Sequence, residues 1–228
     1  EVRAKFEKAW GVPLSPVNGT PLTHVPDKVL RESDPKKQIH AYYIIGEDPA
    51  QSDPDLPEIR ETLSKIDFVV IQDIFFNKTS EYADVIFPAT AWGEHEAVYS
   101  ACDRRFQRVH KLVDPDPNVK TDWEILCLVA TAMGYPMHYN NTEEIWDEMI
   151  SLSPKYYGAT YEKMEANYGI QWPCYTRDPE DKGTKFLHEG ATFNKPEGKG
   201  HFYFFPFTPV KEKETEEFPL SLSTVREV

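Results

Sequence analysis

A chain of 228 residues with 40% hydrophobic content is long enough to bury a substantial core, as one large domain or two unequal pieces. Its formal charge of -13, from 38 acidic against 25 basic side chains, excludes a general nucleic-acid binder, which needs a basic face for phosphate. Three widely spaced cysteines, Cys102, Cys127 and Cys174, exclude a disulfide framework or a C-x-x-C metal nest and fit a reducing compartment, so a cytoplasmic location is expected. No apolar run approaches the ~18 residues of a membrane span.

Residues 1–10 suit a short helix, with Phe6 and Trp10 four apart on one face, and residues 11–38 form a loop punctuated by Pro and Gly around a weak PDKVLRES helix. Residues 41–45 are the first convincing strand, cut off by Gly46-Glu47-Asp48-Pro49. Residues 56–66 follow as a helix with Leu56, Ile59, Leu63 and Ile66 on one side. Next comes the strand 68–71, which stops at Gln72-Asp73, then a short connection, then a strand over 83–87 that stops at Pro88-Ala89-Thr90. Short continuous apolar runs of this kind suit strands buried on both faces of a parallel sheet. The polar groups just past their carboxyl ends stand where open α/β sheets hold ligands.

Residues 92–120 are charged and read as an irregular excursion. A helix over 122–133 follows, with Thr121 as N-cap, Gly134 as stop, and Trp123, Leu126, Cys127 and Ala130 on its expected inner face. Another helix over 143–152 carries Ile145, Trp146, Met149 and Ile150 behind an Asn141/Glu144 capping box, and residues 161–168 suit a third. From about Arg177 the composition shifts to Gly, Pro, Lys and Glu, and HFYFFPF and PLSLSTV read as strands around a charged loop. The expected class is α/β: a Rossmann-like parallel sheet with flanking helices in residues 1–184, then the beginning of a mostly β domain in 185–228. Residues 92–120 and 143–184 are expected as excursions that pack on a neighbouring domain. The chain starts inside a charged amphipathic segment and stops directly after a strand-like run, which suggests a piece of a longer polypeptide.

Asp48, Gln72, Asp73 and Asp122 are the candidate ligand-binding residues. A carboxylate can accept two hydrogen bonds from the ring N–H and amine of guanine, and a Gln amide donates and accepts at once. Against this stands the plain role of each as a turn former or helix cap. His95 between Glu94 and Glu96 invites an acid–base or metal reading, but a metal site is not expected there, because three consecutive residues cannot share one face and no second His or Cys stands at ligand spacing. Arg104, Arg105 and Arg108 suit a solvated or salt-bridged loop face, while Arg226 is better placed to reach a buried anion. G-x-G-x-x-G and P-loop fingerprints are absent, and no nucleophile–base arrangement can be defended from spacing.

Several motifs together carry a resemblance: GEDPAQSD (46–53), the 66–92 stretch, WGEHEAVY (92–99), CDRRFQR (102–108), KTDWEIL (120–126), GYPMHYNNTEEIWDE (134–148), YYGATYEKM (156–164), IQWPC (170–174) and LSTVREV (222–228). In this order they resemble the molybdopterin-dependent formate dehydrogenases of the dimethyl sulfoxide reductase family, over nearly the whole chain. The sequence departs from the wider family at Asp48 for Asn, Asn77 for Thr, Lys78 for Glu, Ser80 for Ala and Phe87 for Leu; Asp48 and Lys78 match one formate dehydrogenase branch. The resemblance implies an oxidoreductase that turns formate into carbon dioxide at molybdenum or tungsten held between two molybdopterin guanine dinucleotides, with an iron–sulfur cluster relaying electrons. It implies that Asp48, Ser52, Gln72 and Asp122 line one guanine dinucleotide, joined by Asp73 and Thr90, and that Thr224 and Arg226 contact cofactor. No catalytic or metal-ligating residue is implied in this piece. The implied partners are the remaining domains of the same enzyme and electron-transfer or hydrogenase subunits. Two other readings stay open: a structural relic of the fold in a respiratory complex, without metal, and a free-standing guanine-nucleotide-binding module.

Overall fold

Three β-branched runs form a parallel sheet in the order β1 (Ala41–Ile45), β2 (Phe68–Asp73), β3 (Val85–Pro88). The register sets Ile45 beside Gln72, and Gln72 beside Phe87. β2 is the middle strand, and Val69, Ile71 and Gln72 on it are almost fully buried, as the continuous apolar run predicts. In this computed structural model the described residues are 2–209 and 213–222. They fall into two compact units, Glu1–Lys185 and Phe186–Val228.

The first unit opens with α1 (Val2–Trp10), followed by a single π-helical turn at Asp27–Arg31 in the weak PDKVLRES segment. Between β1 and β2 the chain turns at Gly46, whose φ of 63° lies in the left-handed region that glycine tolerates. It then makes the one-turn α2 (Pro49–Ser52) and α3 (Leu56–Lys65). Leu63 of α3 packs with Ile44, Ala50, Ile66, Val69 and Ile71 into an aliphatic core. A short 3-10 turn, Thr79–Tyr82, leads into β3. Beyond β3, Ala89 bridges to Lys120 in parallel fashion, so the chain comes back along the sheet edge just before α4 (Asp122–Ala132) begins.

Two expectations fail here for identifiable reasons. The excursion 92–120 is not irregular throughout: β4 (Ala97–Ser100) and β5 (Arg105–Val109) pair antiparallel, and β5 pairs with β6 (Ile170–Gln171). The charges that suggested a loop are taken up in place: Arg105 pairs with Asp103, and Arg108, nearly buried, lies by Glu96 and Glu165 and over the Tyr161 ring. Phe106 faces inward into a second core with Trp146, Ile150, Tyr161, Met164, Ile170 and Cys174. That core is covered by α5 (Thr142–Leu152) and α6 (Tyr161–Ala166). The expected inner face of α4 is also wrong: Ile125 is its buried residue, while Leu126 and Leu128 are exposed. Apolar residues stand all round this helix, so periodicity could not choose a face.

In the second unit, HFYFFPF forms no strand among the described residues, and Phe202, Phe204, Phe205 and Phe207 are all exposed. A strand needs a ladder partner for its backbone groups, and none lies beside this run among the described residues. The described part of PLSLSTV is likewise without strand, and its remainder lies outside the described residues.

Candidate functional site

The carboxyl edge of β1–β3 gathers three polar loops and the start of α4. Gln72, at the end of β2, is fully buried, which is costly unless each polar atom is satisfied. Its amide oxygen accepts from the Tyr43 hydroxyl at 2.5 Å, and its amide nitrogen donates to Asp122 Oδ1 at 2.6 Å and more weakly to the Asp122 carbonyl at 3.4 Å. Burial, and then the Asp122 charge, hold the Tyr43 phenol above its ordinary value, which keeps that proton in place for Gln72. Asp122 keeps its second oxygen, Oδ2, without a hydrogen-bond partner among the described residues. Gln72 therefore orients Asp122, and Asp122 presents the open acceptor.

Thr121 fixes where that acceptor sits. Its backbone N–H and its hydroxyl both donate to the Glu124 carboxylate, at 2.9 and 2.6 Å, locking the first turn of α4. Burial raises the Glu124 carboxyl, but the two bonds from Thr121 outweigh it and leave the group below its ordinary value. Thr90, at the end of β3, is buried; its N–H donates to the Lys120 carbonyl at 3.1 Å and its hydroxyl lies 2.8 Å from His95 Nδ1. His95 and Asp122 together line a cleft of about 340 Å³ whose walls include Trp123, Ile145, Trp146 and Met149.

Asp48 and Asp73 are engaged otherwise. Asp48 Oδ1 accepts from the Thr79 N–H and hydroxyl, at 2.9 and 2.6 Å, and Oδ2 accepts from the Lys78 N–H at 3.3 Å. Asp73 Oδ1 accepts from the Ile74 and Phe75 N–H groups, and Oδ2 from the Asn77 amide at 3.0 Å. Both carboxylates thus shape the 73–80 loop. Asp48 also lines a cleft of about 520 Å³ with Gln51, Phe75, Phe76, Asn77, Lys78 and Glu81. Ser52 is exposed, its hydroxyl donating to the Asp48 carbonyl at 2.9 Å. Thr224 and Arg226 lie outside the described residues.

The edge thus joins Gln72 to Asp122 and Asp48 to the 77–80 turn. Tyr43, Thr79 and His95 were missed as members of it. Tyr43 looks like an ordinary strand residue, and only its hydroxyl, two positions before the end of β1, hinted at reach toward the edge. Among the described residues no group of three or more His, Cys, Asp or Glu could hold a metal ion.

Residues 15–132, which contain this edge, match the family model for molybdopterin oxidoreductases. The chain belongs to the molybdopterin oxidoreductase family. It is similar to formate dehydrogenase H of Escherichia coli strain K12, with 47% identity over 99% of this chain and 31% of that protein. It is also similar to the F420-dependent formate dehydrogenase subunit alpha of Methanocaldococcus jannaschii, with 34% identity over 97% of this chain and 32% of that one. The chain therefore spans about a third of the length of these relatives. Acetylene hydratase from Pelobacter acetylenicus shares the fold at a TM-score of 0.56 and 19% identity, over 87% of this chain and 26% of that one. This molybdopterin oxidoreductase chain has no helix among its described residues long and apolar enough to cross a membrane.

The side chains of this edge are mostly acceptors, so the chemistry of the edge suits a ligand part that presents N–H donors, such as guanine, better than an anionic part. Asp122 Oδ2, the remaining lone pairs of Asp48 and the Ser52 hydroxyl could accept from such N–H groups. A pyrophosphate needs donors. Lys78, the cation lining the Asp48 cleft, is already paired with Glu81 at 3.1 Å.

Proposed function

We propose that this chain is part of a formate dehydrogenase catalytic subunit and holds the guanine end of one molybdopterin guanine dinucleotide on the carboxyl edge of its parallel sheet. The observation that supports the substrate is the 47% identity to formate dehydrogenase H across 99% of the chain. Removal of two electrons from formate to leave carbon dioxide is chemistry that the metal and pterin supply when bound. The residues of this chain bind and orient. Asp122, aimed by Gln72, accepts from the guanine N–H groups. Ser52 and Asp48 face the same ligand from the loop after β1, Thr90 and Asp73 hold the ends of β3 and β2, and Thr224 and Arg226 approach the cofactor from the C-terminal domain that begins near residue 185. Partner domains of the longer enzyme supply the phosphate donors and the iron–sulfur relay, and electron-transfer or hydrogenase subunits take the electrons. A cytoplasmic location goes with this reading.

Asp122→Asn in the full-length enzyme tests it directly. An Asn oxygen still receives the Gln72 amide, but its NH₂ turns a donor toward guanine where Oδ2 was an acceptor. Loss of a charge-assisted bond of roughly 1.5–3 kcal/mol predicts a fall of tenfold or more in cofactor retention. Molybdenum or tungsten and acid-released guanine nucleotide, measured per chain, should fall together. Unchanged contents would remove Asp122 from the site, and a wild-type enzyme that reduces no dye with formate would remove the substrate.

A further inference from the structure

The second core holds a pair of groups that guanine binding does not use. Cys174 is fully buried and Lys163, on α6, is only 5% exposed. Lys163 Nζ donates to the Thr176 carbonyl at 2.9 Å and stands 3.5 Å from Cys174 Sγ. On the other side Cys174 Sγ lies 3.6 Å from Asp181 Oδ2, a carboxylate oxygen that also accepts from the Thr176 N–H and hydroxyl. The pair is tightly walled: a Cβ added at Gly158 would come within 2.6 Å of Sγ and 2.0 Å of the Thr176 carbonyl. It is not sealed, because Lys163 also lines an open cleft of about 350 Å³ with Thr160, Arg177 and Lys182.

The geometry points to Lys163 and Cys174 as a redox-reactive pair that a hydroperoxide joins through a single oxygen between Nζ and Sγ. A buried amine and a buried sulfur at hydrogen-bond distance are already oriented for reaction, which is the larger part of an intramolecular advantage. A one-atom bridge closes the 3.5 Å gap with less movement than a direct S–N bond requires, in a site whose backbone walls leave little room to move. The first hydroperoxide oxidises the thiol to a sulfenic acid and leaves as water. Once the ammonium has passed its extra proton to solvent in the cleft, a second hydroperoxide takes two electrons as the sulfenic oxygen bonds to the amine nitrogen. The S–OH proton and one N–H proton leave in water. The sum is R–SH + R′–NH₂ + 2 H₂O₂ → R–S–O–NH–R′ + 3 H₂O. Burial, opposed by Lys163, keeps the thiol above its ordinary value, so the reaction requires sustained exposure to oxidant. The link would staple α6 to the segment that carries Cys174, closing the interval between residues 163 and 174.

Full-length protein, purified anaerobically with thiol reductant and then exposed to hydrogen peroxide, is digested and read by mass spectrometry. A peptide pair joining Lys163 to Cys174, about 14 Da heavier than its two parts and separated again by dithiothreitol, is the expected product. Exposed Cys102 is the internal control and should show only the ordinary additions of oxygen. Lys163→Arg, which keeps a donor for the Thr176 carbonyl, should lose the cross-link in folded protein. Oxygen additions on Cys174 without linkage, a joined pair about 2 Da lighter than its parts, or no change at Cys174 would each overturn the oxygen-bridged pair.

Discussion

The two sheets of the first unit use opposite means to become stable. The parallel sheet β1–β3 has an aliphatic core of Ile44, Leu63, Ile66, Val69 and Ile71, and keeps its polar side chains for one edge. The antiparallel sheet β4–β6 is centred on aromatic rings: Phe106 meets Trp146 at 5.0 Å and Tyr156 at 5.1 Å, both edge-to-face, and Tyr156 meets Trp172 at 5.5 Å. Its cations are used as structural ties. Arg104 donates to the Thr184 carbonyl, and the Arg108 guanidinium lies 3.6 Å from the Tyr161 ring centroid. The first region thus ends in groups that still have bonds to offer, while the second consumes nearly all of its own. Under the proposed function, the open acceptors of the first region meet the ligand, and the second region packs its own groups against one another.

Trp146→Ala breaks this comparison most strongly. Trp146 is 8% exposed, and its indole N–H donates to the Ala159 carbonyl at 2.6 Å. Truncation opens a cavity and strands that carbonyl, at a cost of about 3–5 kcal/mol. Hydrogen exchange should show β4–β6 and α5 losing protection while β1–β3 keep theirs. Equal loss in both sheets would mean that they unfold as one, and that the division into two regions has no energetic basis.

Gln72→Leu sharpens the other side. Leucine fills a similar volume but leaves the Tyr43 hydroxyl and Asp122 Oδ1 without their partner, at roughly 1–3 kcal/mol. Denaturant midpoints should fall accordingly, and cofactor retention should fall as well because Asp122 is no longer aimed. Gln72→Leu that loses stability yet retains cofactor fully would separate the bracket from the binding role.

The first region was legible because its physics is local. Phe68–Ile71 and the run ending at Phe87 are apolar and β-branched enough to read as strands, though only the middle strand is deeply buried, and their polar ends are adjacent in sequence. The bond from Gln72 to Asp122 was not legible, since it joins positions 50 residues apart and depends on the bridge from Ala89 to Lys120. The hairpin was hidden for a similar reason. Phe106 pairs with Ile170 in a strand of two residues, far too short to show any period of its own. Arg104, Arg105 and Arg108 were expected on a solvated or salt-bridged face, and Arg105 does pair with Asp103 and Arg108 with Glu96 and Glu165. But Arg104 is held by carbonyls and Arg108 also lies on the Tyr161 ring, ties that no local pattern announces.

The smallest effect lies at Asp181, which ties the far end of the second region. Burial raises this carboxyl, but the Gly183 N–H and the Thr176 hydroxyl and N–H all donate to it and hold it below its ordinary value. A carboxyl depressed in the folded state contributes stability that is fully present above the unfolded value of about 3.9 and is lost as pH falls through the folded value. The amides of Thr176 and Gly183 should therefore stay protected at neutral pH and begin to exchange faster only below about pH 4, with the aromatic core still closed. Asp181→Asn should remove that acid step and leave a small, pH-independent loss, because an amide oxygen can accept some of the same bonds without the charge. If wild type and Asp181→Asn show the same acid profile at these amides, the step belongs to another carboxyl, and Asp181 is only a turn residue.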